Sequence, residues 1–350
     1  MDALEARLSI VDLLASAGLE TRNVEVEAGG GGGNNRVFIV HSHDGKYLAK
    51  SYYSHPADTR NRLAAEFAFL SYAKDIGLRC VPRPVACNAE KNIGLYEFVD
   101  GKKLTVAELD ISHVAQAASF LRELNALSHR LQANKLPAAS EACFSIEQHF
   151  ALVDRRFDRL RTMPMQSEIE RQALTFVTEL AAIWQRVKTR IQTLIGNNAV
   201  AAVLDHADRC LSPSDFGFHN ALVRESGEIC FIDFEYAGWD DPAKTIGDFF
   251  CQPAIPVSLD YFGDFAERAM DYLPNGNAVA ERAQMLLPIF QLKWCCIMLN
   301  EFLPDAANRR RFANANANAN ADAEPEIGKR RQLDKAQQFF NSMVRKSWHT

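Results

Sequence analysis

The chain has no CxxC pair and no regular cysteine spacing. Its eight cysteines (80, 87, 143, 210, 230, 251, 295, 296) sit singly or as one adjacent pair, several in apolar runs such as "ICFIDF" and "KWCCIML". Reduced, buried thiols in a cytoplasmic protein are therefore expected. An excess of charge of one sign is also missing. There are 39 Lys and Arg against 44 Asp and Glu, a formal net charge of -5, and no basic stripe to follow a phosphate backbone, so nucleic acid is not an expected partner. No charge-free run reaches membrane-spanning length. The N-terminal "LSIVDLLASAGL" is interrupted by Asp12 and is surrounded by no basic n-region or small-residue cleavage site, so it reads as an amphipathic helix and no membrane is expected. What is present is 47% hydrophobic and 24% charged composition over 350 residues, enough for one large domain or two linked lobes.

The pattern changes once along the chain. "NVEVEAGGGGGNNRVFIVHSHDGKYLAKSYY" predicts strand, glycine loop, strand, Asp44-Gly45 turn and strand, an antiparallel meander. Residues 58 to 75 carry Leu63, Phe67 and Leu70 at helical spacing, with Asp58 as the expected cap. Two short strands are expected in "VPRPVACNAEKNIGLYEFVDG", and the lobe boundary follows, giving an N-lobe of residues 1–100 and a C-lobe of 101–350. Beyond it, 105–134, 145–162, 166–195 and 280–303 show apolar stripes among charges and predict helices. One β island, "NALVRESGEICFIDFEYAG", interrupts them, with a hairpin turn at Ser226-Gly227. "ANANANANADAEPE", at 313–326, has no bulky apolar residue and reads as a flexible connector before a last helix near 329–346. The expected class is α+β, with a small antiparallel-sheet N-lobe and a larger, mainly helical C-lobe.

Three places carry residue types suited to phosphate and metal chemistry. Gly29 to Gly33 lie between two predicted strands. Backbone N–H groups without side chains can approach phosphate oxygens closely, and the alternative is a plain hairpin tip. No Gly-Lys-Ser/Thr follows and no helix opens there, which excludes a Walker loop and a dinucleotide fingerprint. Lys50 stands on the third strand with Leu48 and Tyr52 on its side of the pleat. It is either an exposed strand lysine or a cation that needs a partner, and Glu66, at the edge of the following helix's apolar stripe, can be that partner. The third place is "SPSDFGFHN", then "ICFIDFEYAG". Asp215 can accept a proton from a hydroxyl, while Asn220 and Asp233 offer the hard oxygen ligands that Mg²⁺ prefers. A four-residue gap lets base and amide converge on one pocket, and the hairpin returns the second carboxylate beside them. "DHAD", at 205–208, is a decoy, because the residue five after Asp208 is Pro213. His206 is expected to be structural, and Asp205 and Asp208 to be loop or cap residues.

In this order, the glycine loop, Lys50, Glu66, "LYEFVDG", "SDFGFHN" and "IDFEYAGWDDP" resemble the aminoglycoside phosphotransferase and choline kinase superfamily, small-molecule relatives of protein kinases, over about residues 24 to 250. "IDFEYAG" is especially like the choline kinase-like branch. The resemblance implies a bilobal protein-kinase-like fold and an ATP-dependent, Mg²⁺-dependent phosphotransferase acting on a hydroxyl of a small molecule: an amino alcohol, a sugar or an aminoglycoside-like compound. Asp215 would be the catalytic base or orient the hydroxyl, Asn220 and Asp233 would hold Mg²⁺, and Lys50 would hold the α/β-phosphates and pair with Glu66. Gly30, Gly31, Gly32 and Gly33 would cover the nucleotide. Residues 97 to 99, with Glu97 and Val99, would meet the adenine edge, and Asp248, which falls where the family has a helix-start aspartate, would be structural support. The family's His-Gly-Asp is replaced by Pro213, Ser214 and Asp215, so the histidine that braces the loop is absent, which also leaves open a nucleotide-binding pseudokinase. A Mg²⁺-dependent phosphohydrolase would leave the glycine loop and Lys50 unexplained, and no Ala-Pro-Glu segment follows Asp233 to suggest a protein kinase. For the acceptor, Tyr236, Trp239, Phe290, Trp294 and Phe302 with Glu235, Asp240, Asp241 and Glu301 would suit a cationic amine or a polyhydroxylated sugar. The alternative is that Phe290, Trp294 and Leu299 are helix core.

Overall fold

The computed structural model describes residues 3–30, 35–55, 58, 60–273, 275–304 and 325–344. The meander pattern yields β1 (Glu25–Ala28), β2 (Arg36–Ser42) and β3 (Gly45–Ser51), joined by β4 (Pro84–Asn88) and β5 (Ile93–Glu97) in one antiparallel sheet of order β1-β2-β3-β5-β4. Alternation divides its residues between two faces. Phe38, Val40, Ala49, Ile93 and Leu95 pack with Ala6, Ile10, Leu13 and Leu14 of helix α1 (Ala3–Ser16). Leu48, Lys50 and Tyr52 share the other side with Tyr96, where α2 (Arg62–Asp75) packs through Phe69 and Leu70. Gly94 is paired with Lys50, and a Cβ there would lie 2.5 Å from the Tyr96 hydroxyl, so only glycine lets that ring lie across the strand. The start of α2 corrects one expectation. Its cap is Asn61, whose side chain accepts from the Ala64 N–H, while Asp58 is turned to Arg60 and Arg62.

The C-lobe is helical as expected, with boundaries set by caps. The predicted helix 105–134 is two pieces, α3 (Ile111–Leu124) and α4 (Arg130–Ala133). Asp110 and His113 form a capping box at the start of α3. The break follows from Asn125, whose buried amide donates to the Leu211 carbonyl at 3.0 Å and accepts the Leu211 N–H at 2.6 Å, turning the chain out of the helix. Then come α5 (Ile146–Leu160), α6 (Glu168–Ile195), α7 (Asn197–Ala201), β7 (Cys210–Ser212), β8 (Ala221–Val223), β9 (Ile229–Phe231), β10 (Gly238–Asp240), α8 (Pro242–Cys251), α9 (Phe262–Met270), α10 (Gly276–Met298) and a C-terminal helix, Pro325–Phe339. The β8–β9 hairpin turns at Gly227, φ +83°, and a two-residue strand at Lys102–Lys103, just after the expected boundary, pairs with β8. β10 returns to pair with β7 and places the residues before Asp215 beside it.

The stretch 276–302 is long and apolar enough to cross a bilayer, yet it is the central helix of the C-lobe and most of it is buried. Phe290 and Leu299 are core, as one of the two readings had it. All eight cysteines are free thiols, and Cys143, Cys210, Cys230, Cys251, Cys295 and Cys296 are buried. The Asn-Ala tract, up to residue 324, and residues 345 and 346 of the expected last helix lie outside the described residues.

Candidate active site

Lys50 is the centre of the site. Its ammonium is buried and lies 3.0 and 2.7 Å from the two Glu66 oxygens and 2.7 Å from Asp233 Oδ1. Burial alone would lower its pKa, but Asp233 and Glu66 outweigh that and hold it above the ordinary lysine value. Tyr52 donates to Glu66 at 2.6 Å and meets the Tyr96 hydroxyl at 2.7 Å, and the Phe234 N–H completes the Glu66 carboxylate at 3.3 Å. Asp233 is in the left-handed region at φ +70°, a conformation that costs a non-glycine residue on the order of 1–2 kcal/mol and points to a position fixed by its surroundings. Its carboxyl is held below the ordinary range: burial raises it, and Lys50, His219 and Lys103 together lower it further.

Asp215 follows a second strained residue. Ser214 has φ +68°, and the Asp215 N–H reaches back to the Pro213 carbonyl at 3.0 Å, so the two-residue span is a γ-turn. Here the sequence carries Ser where the resembled family has Gly, the residue that adopts this backbone at no steric cost. Downstream, Asn220 Nδ2 donates to the Asp215 carbonyl at 3.0 Å and to its Oδ2 at 3.3 Å, and the Ile232 N–H bonds the Asn220 carbonyl at 2.9 Å. These bonds place Asn220 between Asp215 and Asp233.

The expected residues are thus brought together as Lys50, Glu66 and Asp233, and as Asp215 and Asn220. Glu97 closes β5, its N–H on the Arg83 carbonyl and its carboxylate on the Arg83 N–H, and Val99 is half-buried in the connector that follows. Gly30 is exposed, and a Cβ there would meet nothing within 4 Å, so local packing does not demand glycine. Gly31, Gly32 and Gly33 lie outside the described residues. Asp248 is structural support as expected, though not at a helix start: it sits inside α8, whose start is capped by Asp241, and binds Lys293 and the Trp294 indole N–H, tying α8 to α10. His206 is exposed and packs against Trp239 with ring centroids 4.5 Å apart and the planes tilted by 53°.

Three contributors escaped the sequence reading. His219 places Nε2 3.2 Å from Asp215 Oδ1, and its buried Nδ1 has no partner among the described residues. The signal available was its position, one helical turn after Asp215. Asn35, just past the glycine loop, donates to buried Glu235 at 2.7 Å, and Glu235 also lies 3.8 Å from Arg62 Nε, a second link between the lobes. Lys103 donates to the His219 carbonyl at 2.7 Å.

A cavity of about 870 Å³ opens beside Asp215, between residues 53–60, α5, α8, α10 and the C-terminal helix. Of the residues expected to shape an acceptor pocket, Tyr236, Trp294 and Glu301 line it. Trp239, Phe290 and Phe302 are buried elsewhere, and Glu235, Asp240 and Asp241 are held by Asn35, Lys244 and His149 respectively.

The fold and site compare with known proteins as follows. The profile of the family described as "Phosphotransferase enzyme family" matches residues 25–268. A choline kinase from Cryptosporidium parvum superposes with a TM-score of 0.60 at 13% identity, covering 99% of this chain and 97% of that one. A choline/ethanolamine kinase family protein from Mesorhizobium loti gives 0.59 at 16% identity, covering 97% and 95%. A spectinomycin phosphotransferase, solved with ADP and its drug, gives 0.52 at 13% identity, covering 95% and 97%. No curated protein sequence matches the chain. With its kinase-like bilobal fold and a family match spanning well over half its length, the chain belongs to the phosphotransferase enzyme family and is a small-molecule kinase.

Proposed function

We propose that the protein transfers the γ-phosphoryl group of ATP to a hydroxyl of a small molecule, with nucleotide between the lobes 1–100 and 101–350. The observation that carries this reading is the buried Lys50, joined at once to Glu66 of the N-lobe and Asp233 of the C-lobe, with Asp215 facing a cavity large enough for a small acceptor. That a related fold was solved with ADP supports the choice of donor.

The donor set fits Mg²⁺. Asn220 uses its amide N–H on Asp215, which leaves its Oδ1 available, and Asp233 keeps Oδ2 beyond the oxygen that Lys50 holds. Among the described residues no group of three His, Cys, Asp or Glu side chains gathers, which suits an ion that retains water and phosphate oxygens in its shell. Bound there with the nucleotide, Mg²⁺ would neutralise charge on the β- and γ-phosphates. Lys50 would hold the α/β-phosphates, Gly30 to Gly33 would cover them, and Glu97 and Val99 would meet the adenine edge through backbone groups; the Val99 N–H has no protein acceptor among the described residues.

In the reaction, Asp215 receives a hydrogen bond from the acceptor hydroxyl and takes its proton as the oxygen bonds to the γ-phosphorus. The bond from that phosphorus to the bridging oxygen breaks, ADP leaves with the electron pair, and the proton passes on to solvent. Positioning and charge stabilisation supply most of the rate. The test is Mg²⁺-dependent turnover of ATP against a panel of hydroxyl compounds, with products identified by mass. Asp215→Asn is expected to lower kcat by about 10²- to 10⁴-fold. Tight Mg²⁺-ATP binding with no phosphorylated product from any panel member would instead favour the pseudokinase reading.

A further inference from the structure

The acceptor cavity is lined with cations. Leaving Asp215 aside, Arg60, Arg156, Arg159, Lys244, Lys293 and Lys335 line it against four carboxylates, Asp58, Glu141, Asp248 and Glu301. Three of those four are already committed. Asp58 lies 2.7 Å from Arg60 and 2.6 Å from Arg62, Glu141 pairs with Arg156, and Asp248 pairs with Lys293. A substrate ammonium entering the cavity would have to displace one of these internal cations to reach its carboxylate.

Two of the three aromatic rings are committed as well. Ammonium recognition needs an open aromatic face near the cation. Of the rings lining the cavity, Tyr236 has the Arg60 and Arg62 guanidinium carbons 5.4 and 5.8 Å from its centroid, and Tyr53 has Arg62 at 5.8 Å. Trp294 donates its indole N–H to Asp248 at 3.0 Å. At Tyr53 and Tyr236 the protein's own arginines occupy the places a quaternary amine would take.

One N–H of a paired guanidinium and one ammonium are left without an acceptor at the same time. Arg156 Nε–H is buried and has no acceptor among the described residues, a state that costs about 1–3 kcal/mol for a donor shut off from water. Lys335, on the C-terminal helix, makes no ion pair among the described residues, and burial and then Arg331 draw its pKa below the ordinary lysine value. An anion in the cavity would relieve both.

We infer that the acceptor hydroxyl belongs to an anionic small molecule, whose carboxylate or phosphate is held by Lys335 and Arg156 while its hydroxyl is presented to Asp215. This rests on the phosphotransferase reading above and replaces the cationic or neutral acceptor that the sequence suggested. Carboxylate and phosphate share the oxyanion chemistry that a guanidinium and an ammonium recognise.

The test has two arms. In the first, wild-type protein with Mg²⁺-ATP is offered glycerate, glucuronate and glycerol 3-phosphate alongside choline, ethanolamine, glucose and kanamycin. The anionic compounds are expected to show at least about tenfold higher kcat/KM, the size of one charge-assisted contact, and the first two against the third separate carboxylate from phosphate. In the second, the same compounds are added without nucleotide and thermal stability is recorded for wild type and Lys335→Glu. Anions are expected to stabilise the wild type and to lose that effect in the variant. Preferential turnover of choline, ethanolamine, glucose or kanamycin overturns the inference, as does an anion effect that Lys335→Glu leaves intact, or no anion effect on turnover or stability at all. Anion binding lost in Lys335→Glu, with no phosphorylated product from any compound, would sustain the anion site and count against the kinase reading alone.

Discussion

Lys50 Nζ lies 2.7 Å from Asp233 Oδ1, so a strand of the N-lobe and the loop after the C-lobe hairpin share one buried charge. The same ammonium also holds Glu66 of the N-lobe, so one buried charge is shared by carboxylates from both lobes. A nucleotide entering between the lobes would compete with those carboxylates for it.

Lys50→Met removes the cation and leaves the buried Glu66 facing a partly exposed Asp233 without a counter-charge. The expected loss of stability is about 3–5 kcal/mol at neutral pH, the cost of breaking a buried pair. Without Lys50 the carboxyl pKa values rise, so the folded state takes up a proton that the unfolded state lacks, and the loss shrinks as pH falls from 8 to 5. Urea titrations of both proteins across that range measure it. A deficit that stays constant or grows toward pH 5 counts against Lys50 as the neutralising charge. Phosphotransfer is expected to fall by at least about 10²-fold, in line with removal of one preorganised donor.

Ser214→Gly tests the strain ahead of Asp215. Serine at φ +68° carries a left-handed cost on the order of 1–2 kcal/mol, and glycine removes it while losing more freedom on folding. The net expectation is a stabilisation of about 0.5–1 kcal/mol in equilibrium unfolding. A destabilised variant would show that the Ser214 side chain contributes more than its backbone costs.

Much of this was legible before any coordinates. Lys50 and Glu66 could be found because a strand of period two and a helix of period 3.6 each place their functional residue by local spacing. Asp215, Asn220 and Asp233 lie within 19 positions, joined by one hairpin, so their convergence is also a local matter. The acceptor-pocket error originates in contacts between distant segments. Arg156, Glu141 and Lys335 meet around the cavity from three separate parts of the chain, and no periodicity announces which face of α5 or of the C-terminal helix will point there. Asp58 looked like a helix cap because the sequence does not show that Arg60 and Arg62 would claim it. The aromatic residues assigned to an acceptor pocket were mostly core because apolar stripes bury themselves first.

His219 supplies a contact to Asp215 in a loop that lacks the bracing histidine of the resembled family. It approaches Asp215 from the C-terminal side, Nε2 to Oδ1 at 3.2 Å. Under the proposed reaction it acts as a positioning residue. His219→Ala is expected to lower kcat by about 10- to 100-fold, the effect of a small misplacement of a reacting group, with KM for ATP little changed. His219→Gln, which can still donate toward Asp215, is expected to recover part of it. Steady-state kinetics on both variants separate the roles: equal losses in Ala and Gln variants, or a loss confined to KM, would remove His219 from the positioning of Asp215.

Asp241 carries the acid limb of stability in the C-lobe. It caps α8 through the Ala243 N–H and is buried with His149 at 2.9 Å and Arg282 at 2.6 Å. Burial raises its pKa, but the His149 hydrogen bond, Arg282 and the cap together hold it below the ordinary carboxylate range. A folded pKa below the unfolded one, about 3.9, means the stabilisation is fully present above that value and disappears as pH falls through the folded pKa. Asp241→Asn keeps the size and the cap acceptor but removes the charge. The variant is expected to be less stable by about 3 kcal/mol at pH 7, within the range for breaking a buried ion pair, and the gap is expected to start closing only once pH falls below the unfolded carboxyl value of about 3.9. Urea unfolding of both proteins from pH 7 down to about pH 2 tests this. Parallel curves over the whole range would mean that the charge on Asp241 is not what joins α5, α8 and α10.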